Sequence, residues 1–150
     1  HQWWYNLVGS DPVNEPAVDE SLAEYSLYYY YESLYGKRHA QQMVKSRWLE
    51  PTAYIQEKGL DAPVASPANA FNEDNYEAIV YAKSSALYDE LRQYIGDDAF
   101  NTAIRNYLNT YQYRIAPAGA FLAIASGTTT RDLGAFTAKW REPLPAPSQE

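Results

Sequence analysis

One histidine and one glutamate near the start of the chain have side chains that a zinc ion binds. Eighteen residues separate His1 from Glu20, and a neutral imidazole and a carboxylate are both ligands of catalytic zinc. Two antiparallel helices joined by a short loop can bring such distant positions face to face. By themselves, the two residues are weak grounds for a metal site, because chance surface pairs are far commoner than ligand pairs. The residues around them therefore decide the interpretation.

The composition restricts the other chemistry that the chain can perform. The 150 residues contain no cysteine, so disulfides, thiolate nucleophiles and cysteine-ligated zinc are excluded, and any metal must bind His, Asp or Glu. The formal net charge is -7 and the sequence pI is about 4.8, which disfavours broad binding to phosphate backbones. We therefore expect no nucleic-acid partner.

The spacing of apolar residues predicts a helical chain. Residues 2–8 have the spacing of the tail of an amphipathic helix. Glycine and proline divide the rest into predicted helices over about 16–35, 37–58 (kinked or divided at Pro51), 75–95, 97–111, 117–125 and 130–140, with a long loop over 61–75. No segment of useful length alternates with period two, so we predict an all-α fold. Residues 1–142 form the predicted helical domain, and 143–150 form a proline-rich tail.

Three short segments, at residues 1–8, 19–25 and 81–84, carry a recognisable pattern. Gln2-Trp3 follows His1 directly, and Asn6-Leu7-Val8 comes soon after; residues 19–25 read Asp-Glu-Ser-Leu-Ala-Glu-Tyr, and residues 81–84 read Tyr-Ala-Lys-Ser. Together these segments resemble the aminopeptidase-N-like gluzincin family of zinc peptidases. That family carries H-E-x-x-H, then eighteen residues and a Glu within Asn/Asp-Glu-Gly-x-Ala-x-Tyr, and later a Tyr-x-Lys-Gly segment. The resemblance covers most of the chain.

The resemblance implies roles for four residues. His1 matches the second histidine of H-E-x-x-H, Glu20 matches the third zinc ligand, and the neighbouring Asp19 could orient a ligand without touching the metal. Tyr81 matches the tyrosine whose hydroxyl supports the oxyanion of the tetrahedral intermediate. The implied cofactor is zinc (Zn2+). The implied fold is the helical C-terminal part of a thermolysin-like catalytic domain, beginning inside the zinc-binding helix.

The same resemblance implies that part of the site lies outside these residues. In the family pattern, the first histidine and the general-base glutamate precede position 1, so this chain supplies two of the three zinc ligands and no base. We therefore expect the parent protein to hydrolyse peptide substrates with a metal-activated water. We expect the 150 residues alone to be inactive without the rest of the parent catalytic domain.

Some positions depart from the family pattern or have ordinary structural explanations. Ser21 and Ser84 stand where the family usually has Gly, and Ala17 stands where a bulky residue is common. Lys83 and Glu24 are charged helix residues, which we expect to be solvated rather than part of a site. We expect all four tryptophans to lie in the core.

Two other functions remain open at this point. A relative that has lost catalysis could keep the helical scaffold as a protein-interaction module; the presence or absence of the upstream His and Glu separates it from a peptidase. The tyrosine run at residues 28–31 could stack on sugars in a carbohydrate-binding domain, although ring packing in the core explains it at least as well.

The residues say little about the compartment in which the protein works. No apolar run approaches the roughly 20 residues that a membrane-spanning helix needs, so we predict no membrane span in this segment. An extracytoplasmic bacterial enzyme is a working hypothesis that no residue of the chain tests.

Overall fold

Seven α-helices and two very short strands make up the part of the chain that the computed structural model describes, residues 1–142. The helices are α1 (Ala17–Tyr35), α2 (Lys37–Val44), α3 (Glu50–Glu57), α4 (Ser84–Ile95), α5 (Asp97–Tyr111), α6 (Ala120–Ser126) and α7 (Gly134–Arg141), and the strands are β1 (Val8–Gly9) and β2 (Arg114–Ile115). The predicted helical fold is confirmed. The proline-rich tail predicted over 143–150 lies outside the described residues.

Two π-helical turns are continuous with these helices. Lys45–Leu49 joins α2 to α3, and Ala78–Lys83 leads into α4. Pro51, which lacks a backbone amide hydrogen, lies in the first turn of α3 directly after the first π-helical turn. The helical run is continuous from 37 to 57, with a π-helical turn before Pro51 and no break at it. Such turns are rare and often occur at functional sites. The second one carries Tyr81.

Residues 2–8 are not helical, so the predicted helix tail is wrong. Tyr5 has a positive φ of 80°, and β1 pairs in parallel with β2, with Val8 opposite Arg114. The backbone amide of Tyr113 donates to the carbonyl oxygen of Leu7 at 2.6 Å. Pairing with β2 satisfies the backbone at the end of this segment.

Helix α1 packs against α2, α4 and both π-helical turns, and its aromatic residues form much of the core. The Tyr25 ring stacks on Trp48 at 5.5 Å between centroids and meets Phe100 edge-on at 5.4 Å. Trp4, Trp48 and Trp140 are buried, as predicted, but Trp3 is 59% exposed, which corrects the prediction for that residue. Within the described residues, no helix combines the length and the apolar character needed to cross a membrane.

Candidate metal centre

The start of the chain and the first turn of α1 bring three possible metal ligands together. His1 Nε2 lies 2.7 Å from Glu20 Oε2. One ligand atom from each of His1, Asp19 and Glu20 lies within 4.8 Å of the other two. His1 is exposed and Glu20 is half-buried, whereas Asp19 is buried. The structure thus brings the two sequence-predicted ligands into direct contact at an accessible site.

The donor atoms of His1 and Glu20 fit a zinc ion. Zinc binds imidazole nitrogen and carboxylate oxygen at about 2.0 to 2.2 Å in tetrahedral geometry, which places neighbouring ligand atoms about 3.3 Å apart. The observed 2.7 Å separation is that of a direct hydrogen bond. A small rotation of the exposed His1 side chain would open this contact enough for both atoms to bind one ion.

Ser10 holds Asp19 beside these two residues. The Ser10 hydroxyl donates to Asp19 Oδ1 at 2.7 Å, and both side chains are buried. Burial raises the pKa of Asp19, and the hydrogen bond from Ser10 opposes that rise. Neighbouring residues on a helix point about 100° apart, so Asp19 lies on the buried side of the site and Glu20 on its more exposed side. The sequence analysis missed Ser10, since no motif or spacing links it to Asp19.

Tyr81 lies next to Glu20. Burial raises the pKa of the Tyr81 hydroxyl, and the nearby Glu20 carboxylate raises it further because a second negative charge there is unfavourable. The hydroxyl therefore keeps its proton at neutral pH and can donate a hydrogen bond. The structure places Tyr81 with the predicted ligands, although 61 positions separate it from Glu20 in the sequence.

Two aromatic residues that the sequence analysis did not single out line the same region. The Tyr76 ring meets Tyr81 edge-on at 6.4 Å between centroids, and Phe71 meets Tyr76 at 6.0 Å. Burial raises the pKa of Tyr76, as do the charges of Glu20 and Asp19. Tyr76 and Tyr81 are five residues apart, which is the separation that a π-helical hydrogen bond joins. In the sequence, only this separation points to Tyr76 as a neighbour of Tyr81.

Lys83 is fully buried, so its predicted position on a solvated surface is wrong. Its Nζ donates to Asp61 Oδ1 at 2.6 Å and to the carbonyl oxygen of Ala62 at 2.8 Å. Burial lowers the pKa of Lys83, and the Asp61 carboxylate opposes that effect. Both partners lie in the long loop before α4, and helical spacing does not reveal contacts with a loop.

Glu24 is also buried, which corrects its predicted solvation. Its carboxylate forms an ion pair with Arg47 and accepts a hydrogen bond from Trp48 Nε1 at 2.9 Å. These contacts join α1 to the π-helical turn between α2 and α3. Glu24 therefore has a structural set of partners, although it lies one helical turn from Glu20.

The two serines that replace family glycines are accommodated without unpaired hydroxyls. The Ser21 hydroxyl donates to the carbonyl oxygen of Ala17, and the Ser84 hydroxyl donates to that of Val80. Ser85 links the two helices by donating to the carbonyl oxygen of Ser21 at 3.2 Å. The departures therefore leave α1 closely packed against α4, with Glu20 and Tyr81 together.

Comparisons with known proteins place the chain in a family. The profile of the peptidase family M1 domain matches residues 1–140. Aminopeptidase N of Oryctolagus cuniculus is 24% identical over 119 residues, which cover 76% of this chain and 12% of the rabbit protein. The alanine/arginine aminopeptidase of Saccharomyces cerevisiae is 26% identical over 132 residues, which cover 85% of this chain and 15% of the yeast protein. The chain thus spans less than a fifth of the length of these relatives.

Solved structures share the fold. An M1 zinc metallopeptidase from Deinococcus radiodurans, bound to a Tyr-Ser-Ala substrate, superposes with a TM-score of 0.75 at 20% identity, over 99% of this chain and 33% of that one. A second structure of an M1 zinc metallopeptidase from Deinococcus radiodurans superposes with a TM-score of 0.73 at 21% identity, over 99% of this chain and 34% of that one. Because the family profile matches nearly the whole chain, the chain belongs to peptidase family M1.

Proposed function

We propose that this chain forms the helical part of the active site of a zinc-dependent, aminopeptidase-like metallopeptidase. The observation that carries the proposal is the contact of His1 with Glu20 at 2.7 Å, with a ligand atom of Asp19 within 4.8 Å of both. The names of the curated relatives, which are aminopeptidases, support the same reaction class.

Each residue of the site has a distinct part in the proposed reaction. Bound zinc would supply an activated water and polarise the scissile carbonyl. His1 and Glu20 would hold the metal, and Asp19, fixed by Ser10, would orient these ligands. Tyr81 would donate a hydrogen bond to the developing oxyanion, an interaction worth about 3 to 4 kcal/mol for comparable donors.

We propose that catalysis requires the rest of the parent catalytic domain, which would supply the first histidine and the general base. The surface near His1 supports this partner. Four large side chains in or next to the two short strands are exposed, Tyr113 by 84%: Trp3, Tyr5, Tyr113 and Ile115. Large apolar side chains grouped on one surface commonly mark a packing interface.

The experiment that tests the proposal replaces Glu20 in the native full-length polypeptide. Glu20→Gln should lower zinc content and reduce hydrolysis of aminoacyl p-nitroanilides by at least about 100-fold, because an amide is a poor zinc ligand. Glu57→Gln, at an exposed position near the end of α3, is the matched control and should change neither quantity. A Glu20→Gln protein with full zinc content and activity would overturn the assignment.

The alternative functions have less support. If the wild-type polypeptide neither binds zinc nor hydrolyses peptides, the alternative of a helical scaffold for protein interactions is favoured. A carbohydrate-binding role has little support, because Tyr28 is buried and the Arg92 guanidinium lies 4.6 Å from its ring centroid and 5.3 Å from that of Tyr29. These two rings pack against Arg92, and of the four tyrosines of the run only Tyr30 is exposed, by 52%.

A further inference from the structure

The π-helical turn that carries Tyr81 is anchored at both ends to the same short stretch of loop. Before the turn, Asn75 Nδ2 donates to the carbonyl oxygen of Leu60 at 2.9 Å. At its end, Lys83 Nζ donates to Asp61 Oδ1 at 2.6 Å and to the carbonyl oxygen of Ala62 at 2.8 Å. Residues 60–62 therefore act as one attachment point for the whole turn, and we call this arrangement the Lys83 clamp.

Because the side chains of the clamp are buried, they restrict the backbone to few conformations. Lys83 has no exposed surface and Asn75 is only 7% exposed. A buried ammonium is tolerated only where its charge and donors are matched. Here the Asp61 carboxylate supplies the charge and the Ala62 carbonyl oxygen accepts a second hydrogen bond, so few other backbone arrangements satisfy Lys83. A buried ion pair contributes little net stability, but it can select one conformation.

The conformation of this turn determines where the Tyr81 hydroxyl points. A change of one residue in helical register rotates a side chain by about 100° around the axis. Relaxation of Ala78–Lys83 to a regular α-helix would therefore turn Tyr81 relative to Glu20. We infer that Lys83, through the clamp, is a positioning residue that keeps Tyr81 directed at the metal site. This inference rests on the proposed function of Tyr81.

A double-variant experiment in the native full-length polypeptide tests the inference. Tyr81→Phe should lower kcat by on the order of 100-fold, because one oxyanion donor is lost. Lys83→Met should lower kcat on the order of 10-fold or more at unchanged zinc content, because the donor is displaced. In the Tyr81→Phe background, Lys83→Met should cause almost no further loss of kcat, since the group that it positions is already absent.

A matched control separates positioning from general destabilisation. Arg92 is another buried cation of the same region of the chain, and it pairs with Glu32 and Asp97. Arg92→Met should affect kcat equally in both Tyr81 backgrounds. In zinc-stripped protein, hydrogen exchange of the amides at 78–83 should accelerate with Lys83→Met and stay unchanged with Arg92→Met.

The outcomes are distinguishable. If Tyr81→Phe leaves kcat unchanged, the proposed role of Tyr81 fails, and the inference fails with it. If Tyr81→Phe acts as expected but the effects of the two changes multiply, only the clamp inference is overturned. If Lys83→Met does not fold, Asn75→Ala, which removes the other anchor, decides the question by the same comparison in both Tyr81 backgrounds.

Discussion

Glu20 and Glu24 are two carboxylates one turn apart on α1, and their partners give them different properties. Glu20 contacts His1 and lies beside Tyr81, at a surface that solvent reaches. Glu24 is buried against Trp48 and paired with Arg47. Two identical side chains one helical turn apart therefore have different roles: Glu20 is a candidate metal ligand, and Glu24 holds α1 against the π-helical turn that carries Trp48.

The structural character of Glu24 can be measured. Glu24→Ala should lower the free energy of unfolding by about 2 kcal/mol, because Trp48 Nε1 is left as a buried donor without an acceptor. Zinc content should be unchanged in the native polypeptide. Urea unfolding followed by tryptophan fluorescence measures the loss, with the exposed Glu57→Ala as the control. Loss of zinc at unchanged stability would instead place Glu24 in the site.

At the scale of elements, α1 and the π-helical turn before α4 position the site, and small side chains decide how closely they pack. A cavity of about 140 Å³ remains at the start of α1. Its lining includes Ala17, at the position where a bulkier residue is common in the family, together with Val64, Tyr107 and Phe121. Among residues 1–142, no side chain fills this space behind the helix that carries Glu20.

Filling this cavity should stabilise the protein. Ala17→Leu adds three carbon atoms to a mainly apolar space, and each buried methylene contributes about 0.8 kcal/mol, part of which strain offsets. We expect a net gain of about 1 kcal/mol in the free energy of unfolding. Ala103→Leu, at a fully buried position in α5, is the control and should destabilise by overpacking. A destabilised Ala17→Leu protein would contradict the prediction.

At the scale of the whole molecule, the core buries many phenol groups. The chain contains 15 tyrosines, and Tyr25, Tyr88 and Tyr107 are almost completely buried. Burial raises the pKa of each of these three, and it raises the pKa of Tyr29 to about 12. The folded protein therefore holds protons that the unfolded chain releases at a lower pH.

This difference predicts unfolding in alkali. The stabilising contribution of these tyrosines is fully present below their unfolded pKa of about 10. It is lost as the pH rises through the folded values, about 12 for Tyr29. Urea unfolding between pH 8 and about 12 should show a steady fall in stability above about pH 10. Tyr29→Phe should make the fall shallower; Tyr54→Phe, at an exposed ring, should not.

Residue spacing predicts much of the helical fold. The predicted helices over 16–35 and 97–111 correspond to α1 and α5. Gly36 directly follows the first and Gly96 directly precedes the second, and apolar residues recur at helical intervals within α5. The same spacing misleads at residues 2–8, where pairing with β2 decides the backbone. Local periodicity does not report a partner strand 106 positions away.

The sequence by itself determined the family pattern and, through it, the pairing of His1 with Glu20 and the choice of Tyr81. These assignments depend on residue types and separations, which are visible in one dimension. Only the tertiary structure decided the partners of Ser10, Lys83 and Glu24, because each contacts a residue on another element. Burial and charge matching are properties of the packed molecule. They explain why Lys83, expected to be solvated, is instead buried and bonded to Asp61 and Ala62.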